Sequence, residues 1–467
     1  MKIRANYVSN SSSASFLLDL ATKKYFTLTA KTQSNIIFYI PYKEYSRFRG
    51  EAELENIEYL VGRENDSNTS EWLTLSRSSS NIFVSLYFQL SSQSEINYNL
   101  LGKSMWIIQV RINLSPNYYI KFRSKKNIFI TTPFKADEDF YPYFKIINAD
   151  AGGQIEASGN IGTLFDMDDG SGNSNNSYYT RCFYKLFKDC KGLISAPELP
   201  AITAEDSCCE SMFEGCESLI NVPDLSLTSL APSCCFRMFA GCKSLINAPK
   251  LPKNVLADSC YKEMFSGCIL LENTPELPAT TLTSNCYESM FASCTSLSGI
   301  SGISGIMLNS AVLSPSCCFK MFTECTSLKN APNLPINVLV DSCYKEMFSY
   351  CTLLENRPEL PATNLALNCY EGMFMGCSSL TNGGNLPAQI LIQNCYKNMF
   401  KGCTSLSSLS VEFNTWAING RFSGTESDYR ETAVYWLNDI EIAGEFRCPE
   451  DLPVTKRNAN SKKLEYN

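Results

Sequence analysis

The side chains best able to do chemistry in this 467-residue chain are its 22 cysteines, and no histidine accompanies them. Eighteen of the cysteines keep a metre, written nine times between Cys182 and Cys403: a cysteine, seven residues, a second cysteine. The first members are Cys182, Cys208, Cys234, Cys260, Cys286, Cys317, Cys343, Cys369 and Cys395, spaced by 26 residues except for one step of 31. Thiols in such number open three chemistries: disulfides, soft-metal sites and nucleophilic catalysis. The last needs a base. Without histidine, Cys-His and Ser-His-Asp arrangements are excluded, as is ligation of a metal by imidazole. Zinc sites usually show two close cysteine pairs, and no Cys-x-x-Cys occurs.

If the nine-residue segment is a short helix, its two cysteines stand about 12 Å apart along the axis. A disulfide wants Cα atoms within about 7 Å, so bridging inside a unit is not expected. Equivalent cysteines of neighbouring units come closer, but each faces a neighbour on both sides and no pairing is singled out. A buried ladder of thiols packing as small apolar groups is the expectation, with inter-unit disulfides and metal as alternatives. Cys209, Cys235 and Cys318 occupy the place held elsewhere by Tyr261, Tyr287, Tyr344, Tyr370 and Tyr396, an exchange that fits packing rather than catalysis.

A period in this range predicts a solenoid, in which each unit buries its apolar face only by stacking on its neighbours. The template reads Cys260-Tyr-Lys-Glu-Met-Phe-Ser-Gly-Cys268. Apolar groups at Cys260, Met264, Phe265 and Cys268 predict a short helix ending near Gly267, followed by a strand over Leu271 to Thr274 and a return punctuated by Pro275 and Pro278. Ser233 to Phe239 recurs as Ser316 to Phe322, and Asp258 to Phe265 as Asp341 to Phe348, both 83 residues on, so a three-unit block has been duplicated.

Around the repeat the chain changes character. Residues 1–150 carry β-branched and aromatic runs, among them Phe26–Ala30, Ile36–Ile40, Ile57–Leu60, Glu71–Leu75, Ile82–Phe88, Met105–Val110, Tyr118–Phe122 and Ile128–Thr131, which predict an antiparallel, sandwich-like β domain. Residues 151–180 read as a linker and N-terminal cap; Asp166, Asp168, Asp169 and Gly170 miss the register of a calcium loop and read as solvated. The nine units fill 181–406, and 407–467 form a C-terminal cap. The expected class is therefore mixed α/β: an antiparallel β domain, then a solenoid of parallel strands and short helices.

Composition narrows the function. With 40 basic against 47 acidic residues the net charge is −7, which argues against a nucleic-acid surface. No apolar run reaches the length of a membrane span. The opening residues turn polar by Ser9 where a secretory signal needs its apolar run, so export by another route, or a mature or virion protein, is expected. No cofactor is implied.

Two registers could contact a partner. Asn221, Asn247, Asn273, Asn330, Asn356 and Asn382 follow the strand leucines by two, placing them on the leucine face if these are strands, as a backbone-satisfying ladder or as a polar binding strip. The opposite face carries Ile194, Ile220, Ile246, Glu272, Ser298, Lys329, Glu355, Thr381 and Ser407, which vary while the core positions stay constant. The three isoleucines form an apolar stripe suited to a partner or to cover by the N-terminal domain. The long unit, Leu297 to Leu313, predicts a protruding Gly- and Ser-rich loop.

The units Cys369-Tyr-Glu-Gly-Met-Phe-Met-Gly-Cys377-Ser-Ser-Leu380 and Ala331-Pro-Asn-Leu-Pro335 resemble the BspA-like leucine-rich repeats of gut Bacteroidota surface proteins. The resemblance covers about residues 155–455, including Ile155 to Phe165 upstream and the closing Gly444-Glu-Phe-Arg-Cys-Pro449. It implies adhesion without catalysis, to a protein or glycan on a host or bacterial surface, at the cell surface. A phage virion fibre or receptor-binding component would use the same repeat surface. A glycan-active enzyme would have to rest on carboxylates such as Glu272 and Glu355, and their spacing supplies no cleft with two carboxylates about 5 to 10 Å apart.

Overall fold

The computed structural model describes residues 26–42, 57–64, 73–74, 82–89, 105–124, 143–146, 149–164, 181–200, 203–252, 255–277, 279, 281–300, 312–334, 338–414 and 445–449. The chain divides into two bodies. The first comprises 1–178, 186–202 and 221–227; the second comprises 179–185, 203–220 and 228–467.

In the first body, period-two runs become strands. These are β1 (Phe26–Ala30), β2 (Ser34–Tyr42), β3 (Ile57–Arg63), β4 (Leu73–Thr74), β5 (Ile82–Gln89), β6 (Met105–Leu114), β7 (Tyr118–Ser124), β8 (Tyr143–Ile146), β9 (Ile155–Ser158) and β10 (Leu193–Ser195). They form one sheet in the order β10-β9-β1-β7-β3-β4 and another in the order β5-β6-β2-β8. Pairing is antiparallel except between β9 and β10. In β6, Val110, Ile112 and Leu114 are buried while Arg111 and Asn113 are exposed, the alternation of a sheet with one dry face. Aromatic rings join the two sheets: Phe26 of β1 lies 5.6 Å from Phe144 of β8, which stacks on Phe38 at 4.2 Å and on Phe187 at 5.0 Å. The expected strand at Ile128–Thr131 lies outside the described residues, as do the acidic stretch at Asp166 and most of the long-unit loop.

The second body overturns the mixed α/β expectation. Among the described residues the only helical turns are two 3₁₀ turns, Ala149–Ala151 and Ile161–Leu164, and both belong to the first body. The Cys-x7-Cys segments are instead runs of overlapping turns. In the template unit, Cys260, Lys262, Met264, Ser266 and Cys268 donate their N–H to the carbonyl three residues back, at 3.1–3.2 Å. The intervening residues donate sideways to the next unit: Ser259 to Ser284, Tyr261 to Cys286, Glu263 to Glu288, Phe265 to Met290 and Gly267 to Ala292, at 2.7–3.2 Å.

This alternation requires a left-handed residue at every fourth position: Ser259 (φ 57°), Glu263 (φ 52°) and Gly267 (φ 73°). An α-helix tolerates none. Each left-handed residue costs about 1–2 kcal/mol, less for asparagine and least for glycine, and Asn368, Gly372 and Gly376 fill the three places in one later unit. Lateral hydrogen bonds and the core offset that cost. Met264, Phe265, Cys268 and Leu271 and their counterparts are fully or almost fully buried, each large apolar side chain contributing about 1.5–3 kcal/mol.

The phenylalanines form a continuous stack, Phe213, Phe239, Phe265, Phe291, Phe322, Phe348, Phe374 and Phe400, with centroids 5.5–5.9 Å apart and planes within 15°. Unit follows unit through the 31-residue step without a break, since Tyr287, Ser289 and Phe291 donate to Cys317, Phe319 and Met321. The extra residues are absorbed between Gly299 and Val312.

The predicted strand over Leu271–Thr274 also fails to form. Asn247, Asn273 and Gly299 make only single parallel bridges, as do Asn330 and Asn356. Longer parallel pairing appears near the end of the repeat, where β11 (Asn382–Leu386) pairs with β12 (Ser408–Val411), which pairs with β13 (Glu445–Arg447).

Candidate functional site

All eighteen metre cysteines are buried and outside any disulfide, although the helix argument against bridging within a unit does not apply to these turns. The second cysteine of a unit has a polar task. Cys268 donates its thiol to the Phe239 carbonyl at 3.1 Å, and Cys242, Cys294, Cys325, Cys351, Cys377 and Cys403 repeat the contact at 3.0–3.2 Å. A thiol suits this place because it is small, apolar and still a weak donor.

The first cysteines pack sulfur on sulfur where the tyrosine is missing: Cys182 to Cys208 at 3.1 Å, Cys208 to Cys209 at 3.6 Å and Cys234 to Cys235 at 3.9 Å. Burial pushes Cys260, Cys268, Cys343, Cys351, Cys395 and Cys403 up to about 12, far from a nucleophile poised at neutral pH. Among the described residues no group of three or more His, Cys, Asp or Glu is placed to hold a metal ion, and no helix is long and apolar enough to cross a membrane.

The sites singled out in the sequence lie at the register after each buried leucine. Ile220 and Ile246 are exposed (49% and 39%), and Glu272, Ser298, Lys329, Glu355, Thr381 and Ser407 are exposed too. Ile194 is half-buried and belongs to the first body. Backbone bonds bring neighbours together: the Glu272 N–H donates to Ile246, Ser298 to Glu272, Glu355 to Lys329 and Ser407 to Thr381, at 2.8–3.3 Å. Glu272 and Glu355 sit in different units of the stack.

The asparagines differ from expectation. They do not share the buried face of the leucines two residues earlier. Asn221, Asn247, Asn273, Asn330, Asn356 and Asn382 are all exposed; the first five are single bridging residues, which do not impose the two-residue period of a strand, and Asn382 opens β11, which Leu380 precedes. Their amides help one another and the next unit: Asn356 Nδ2 donates to Asn330 Oδ1 at 2.6 Å, and Ser408 Oγ donates to Asn382 Oδ1 at 3.1 Å.

Two surface registers carry signals passed over in the sequence. Two residues after the first cysteine, the second body runs Glu210, Phe236, Lys262, Glu288, Phe319, Lys345, Glu371 and Lys397. Lys262 pairs with Glu288 at 3.0 Å and Lys345 with Glu371 at 2.9 Å, at equivalent places 83 residues apart. The 83-residue duplication was the clue. Five residues before the first cysteine lie Val255, Val312, Val338 and Ile390, exposed by 82, 63, 76 and 56%.

No protein-family model matches the chain, and no curated protein matches it. The chain is similar to a leucine-rich repeat protein from Bacteroides ovatus of known crystal structure: 15% identical, over 57% of this chain and 86% of that one, at a TM-score of 0.17.

Proposed function

We propose that the chain is a non-catalytic interaction protein of the BspA-like leucine-rich-repeat kind, which adheres to a protein or glycan on a host or bacterial surface. The contact register is Ile220, Ile246, Glu272, Ser298, Lys329, Glu355, Thr381 and Ser407 of the second body. One observation carries the reading: these side chains vary from apolar to acidic, basic and hydroxylated, yet each stands exposed at the same place in its unit. The backbone beneath Ile246, Glu272 and Ser298, and beneath Lys329 and Glu355, is held by lateral hydrogen bonds. An array of different side chains on a repeated frame suits extended binding, where specificity comes from the order of the groups.

The test is binding of labelled full-length protein to a glycan array and to immobilised surface and matrix proteins, repeated with Ile220→Asp and with Glu355→Lys. Loss of capture in either variant at unchanged melting temperature supports the register as the contact surface. Equal capture by wild type and both variants removes it, and turnover of an arrayed glycan would replace adhesion with catalysis.

A further inference from the structure

The thiol ladder changes character at the start of the repeat. Later units commit their sulfurs to backbone: the second cysteines from Cys242 onward donate to phenylalanine carbonyls, and Cys286 turns to the Cys317 carbonyl at 3.9 Å. In the first two units sulfur faces sulfur instead. Cys182 Sγ lies 3.1 Å from Cys208 Sγ, which lies 3.6 Å from Cys209 Sγ. All three belong to the second body and are buried, Cys182 keeping 3% exposure and the other two none.

We propose that Cys182 and Cys208 form a disulfide on oxidation, stapling the first unit of the repeat to the second. Their sulfurs stand only about 1 Å beyond the length of a bond. The backbone sets the two residues side by side, since Arg181, Phe183 and Lys185 donate their N–H to Asp206, Cys208 and Glu210 at 2.8–3.1 Å. Chains joined by such lateral bonds run about 4.8 Å apart, inside the roughly 4.4–6.8 Å between Cα atoms that a disulfide spans. Cys209 is the wrong partner for Cys208, because consecutive Cα atoms lie about 3.8 Å apart across a trans peptide, short of that span. Cys234, the neighbour of Cys208 on the other side, turns its thiol to Cys235 at 3.9 Å. Cys208 is thus left with Cys182.

The oxidant is a low-molecular-weight disulfide such as glutathione disulfide. Cys182 is reached first, because the end unit has a repeat neighbour on one side only and opens most readily. Its thiolate attacks one sulfur of the small disulfide, forming a mixed disulfide and expelling one small thiolate; the Cys208 thiolate then attacks the Cys182 sulfur and expels the second. The protons of the two cysteine thiols end on the two expelled thiolates. One small disulfide is reduced to two thiols as the Cys182–Cys208 bond forms, so atoms and electrons balance. The bond closes residues 182–208 into a loop that contains β10 and restricts the unfolded chain, which opposes fraying of the first unit.

The experiment starts from the reduced full chain and exposes it to an oxidising glutathione buffer, in one arm natively and in the other during refolding from denaturant. Remaining thiols are alkylated under denaturing conditions, and the chain is digested with trypsin without reduction and weighed. The expected result is that two of the 22 cysteines escape alkylation, the chain loses the mass of two hydrogens, and peptide Cys182–Lys185 is joined to peptide Gly192–Arg237, which holds Cys208. The join should vanish in Cys208→Ala and persist in Cys209→Ala. Fragmentation of the joined wild-type peptides locates the bond even if a variant does not fold. Closure onto Cys208 in either arm supports the proposal. Retention of all 22 thiols in both arms, glutathione adducts without an internal bond, or a join from Cys182 to any other cysteine would overturn it. Ligand capture by the variable register is a separate measurement, so either reading can fail alone.

Discussion

Raising the pH should unfold the second body steeply and near pH 10, because its core is built from thiols that cannot ionise in place. Cys260, Cys268, Cys343, Cys351, Cys395 and Cys403 are each raised to about 12 by burial, against 9.0 for the free thiol. The native state thus holds protons that the unfolded chain has released. Stability is fully present below about pH 9 and is lost as pH climbs from there toward 12. At pH 10 each such thiol lowers the unfolding free energy by roughly 1–2 kcal/mol. Six together lower it by roughly 6–12 kcal/mol, comparable to the roughly 5–15 kcal/mol that keeps a domain folded. Cys242, Cys294, Cys325, Cys369 and Cys377, also raised by burial, push the same way. The assay is a pH titration under reducing conditions, following circular dichroism together with thiolate absorbance in the ultraviolet. Both signals should change in one transition with a proton release of about six or more. Native dichroism persisting at about pH 11, or a transition releasing fewer than about two protons, would refute the buried-thiol account.

Two core substitutions test the packing from other directions. Phe322 lies between Phe291 at 5.5 Å and Phe348 at 5.6 Å, so Phe322→Ala should destabilise the second body by about 4 kcal/mol. It should also loosen coupling between the units on either side, read as amide exchange that no longer opens together; a loss under about 1 kcal/mol would show that the stack is not cooperative. Tyr344 is fully buried with its hydroxyl unpartnered, next to the unit where Cys318 replaces tyrosine. Removing a buried, unsatisfied hydroxyl should stabilise, so Tyr344→Phe is expected to gain about 1 kcal/mol, seen as a rise in melting temperature of about 2–4 °C. A fall would mean that the hydroxyl finds a partner in solution.

Much of this molecule is legible in its residues. The strands of the first body at Phe26, Ile36, Ile57, Ile82, Met105 and Tyr118 follow from β-branched and aromatic runs, because sheet formation rewards those side chains locally. The constant positions of the repeat, Cys, Met, Phe, Cys and Leu, are the buried ones. The outward side of the variable register is readable for the same reason, since chemistry that changes from Ile246 to Glu272 to Ser298 belongs in water. The asparagines mislead because their placement was argued from a strand that does not form. The Val255 register is hard to see because hydrophobic residues ordinarily signal core, and exposure is a property of what packs alongside.

The sequence by itself determined the period, the block duplication and the inward side of the constant Cys, Met, Phe, Cys and Leu positions, because these depend only on residue type and spacing. Only the tertiary structure decided between helix and turn. Apolar residues at Cys260, Tyr261, Met264, Phe265 and Cys268 fit one side of a 3.6-residue helix as well as a four-residue turn, and nine residues are too few to separate the two periods. The choice falls to the backbone N–H groups. A helix satisfies them within its own segment, whereas here every second one, from Ser259 to Gly267, reaches the carbonyl of a neighbouring unit about 3 Å away. That neighbour exists only once the chain has folded, so no reading of a single unit could have found it.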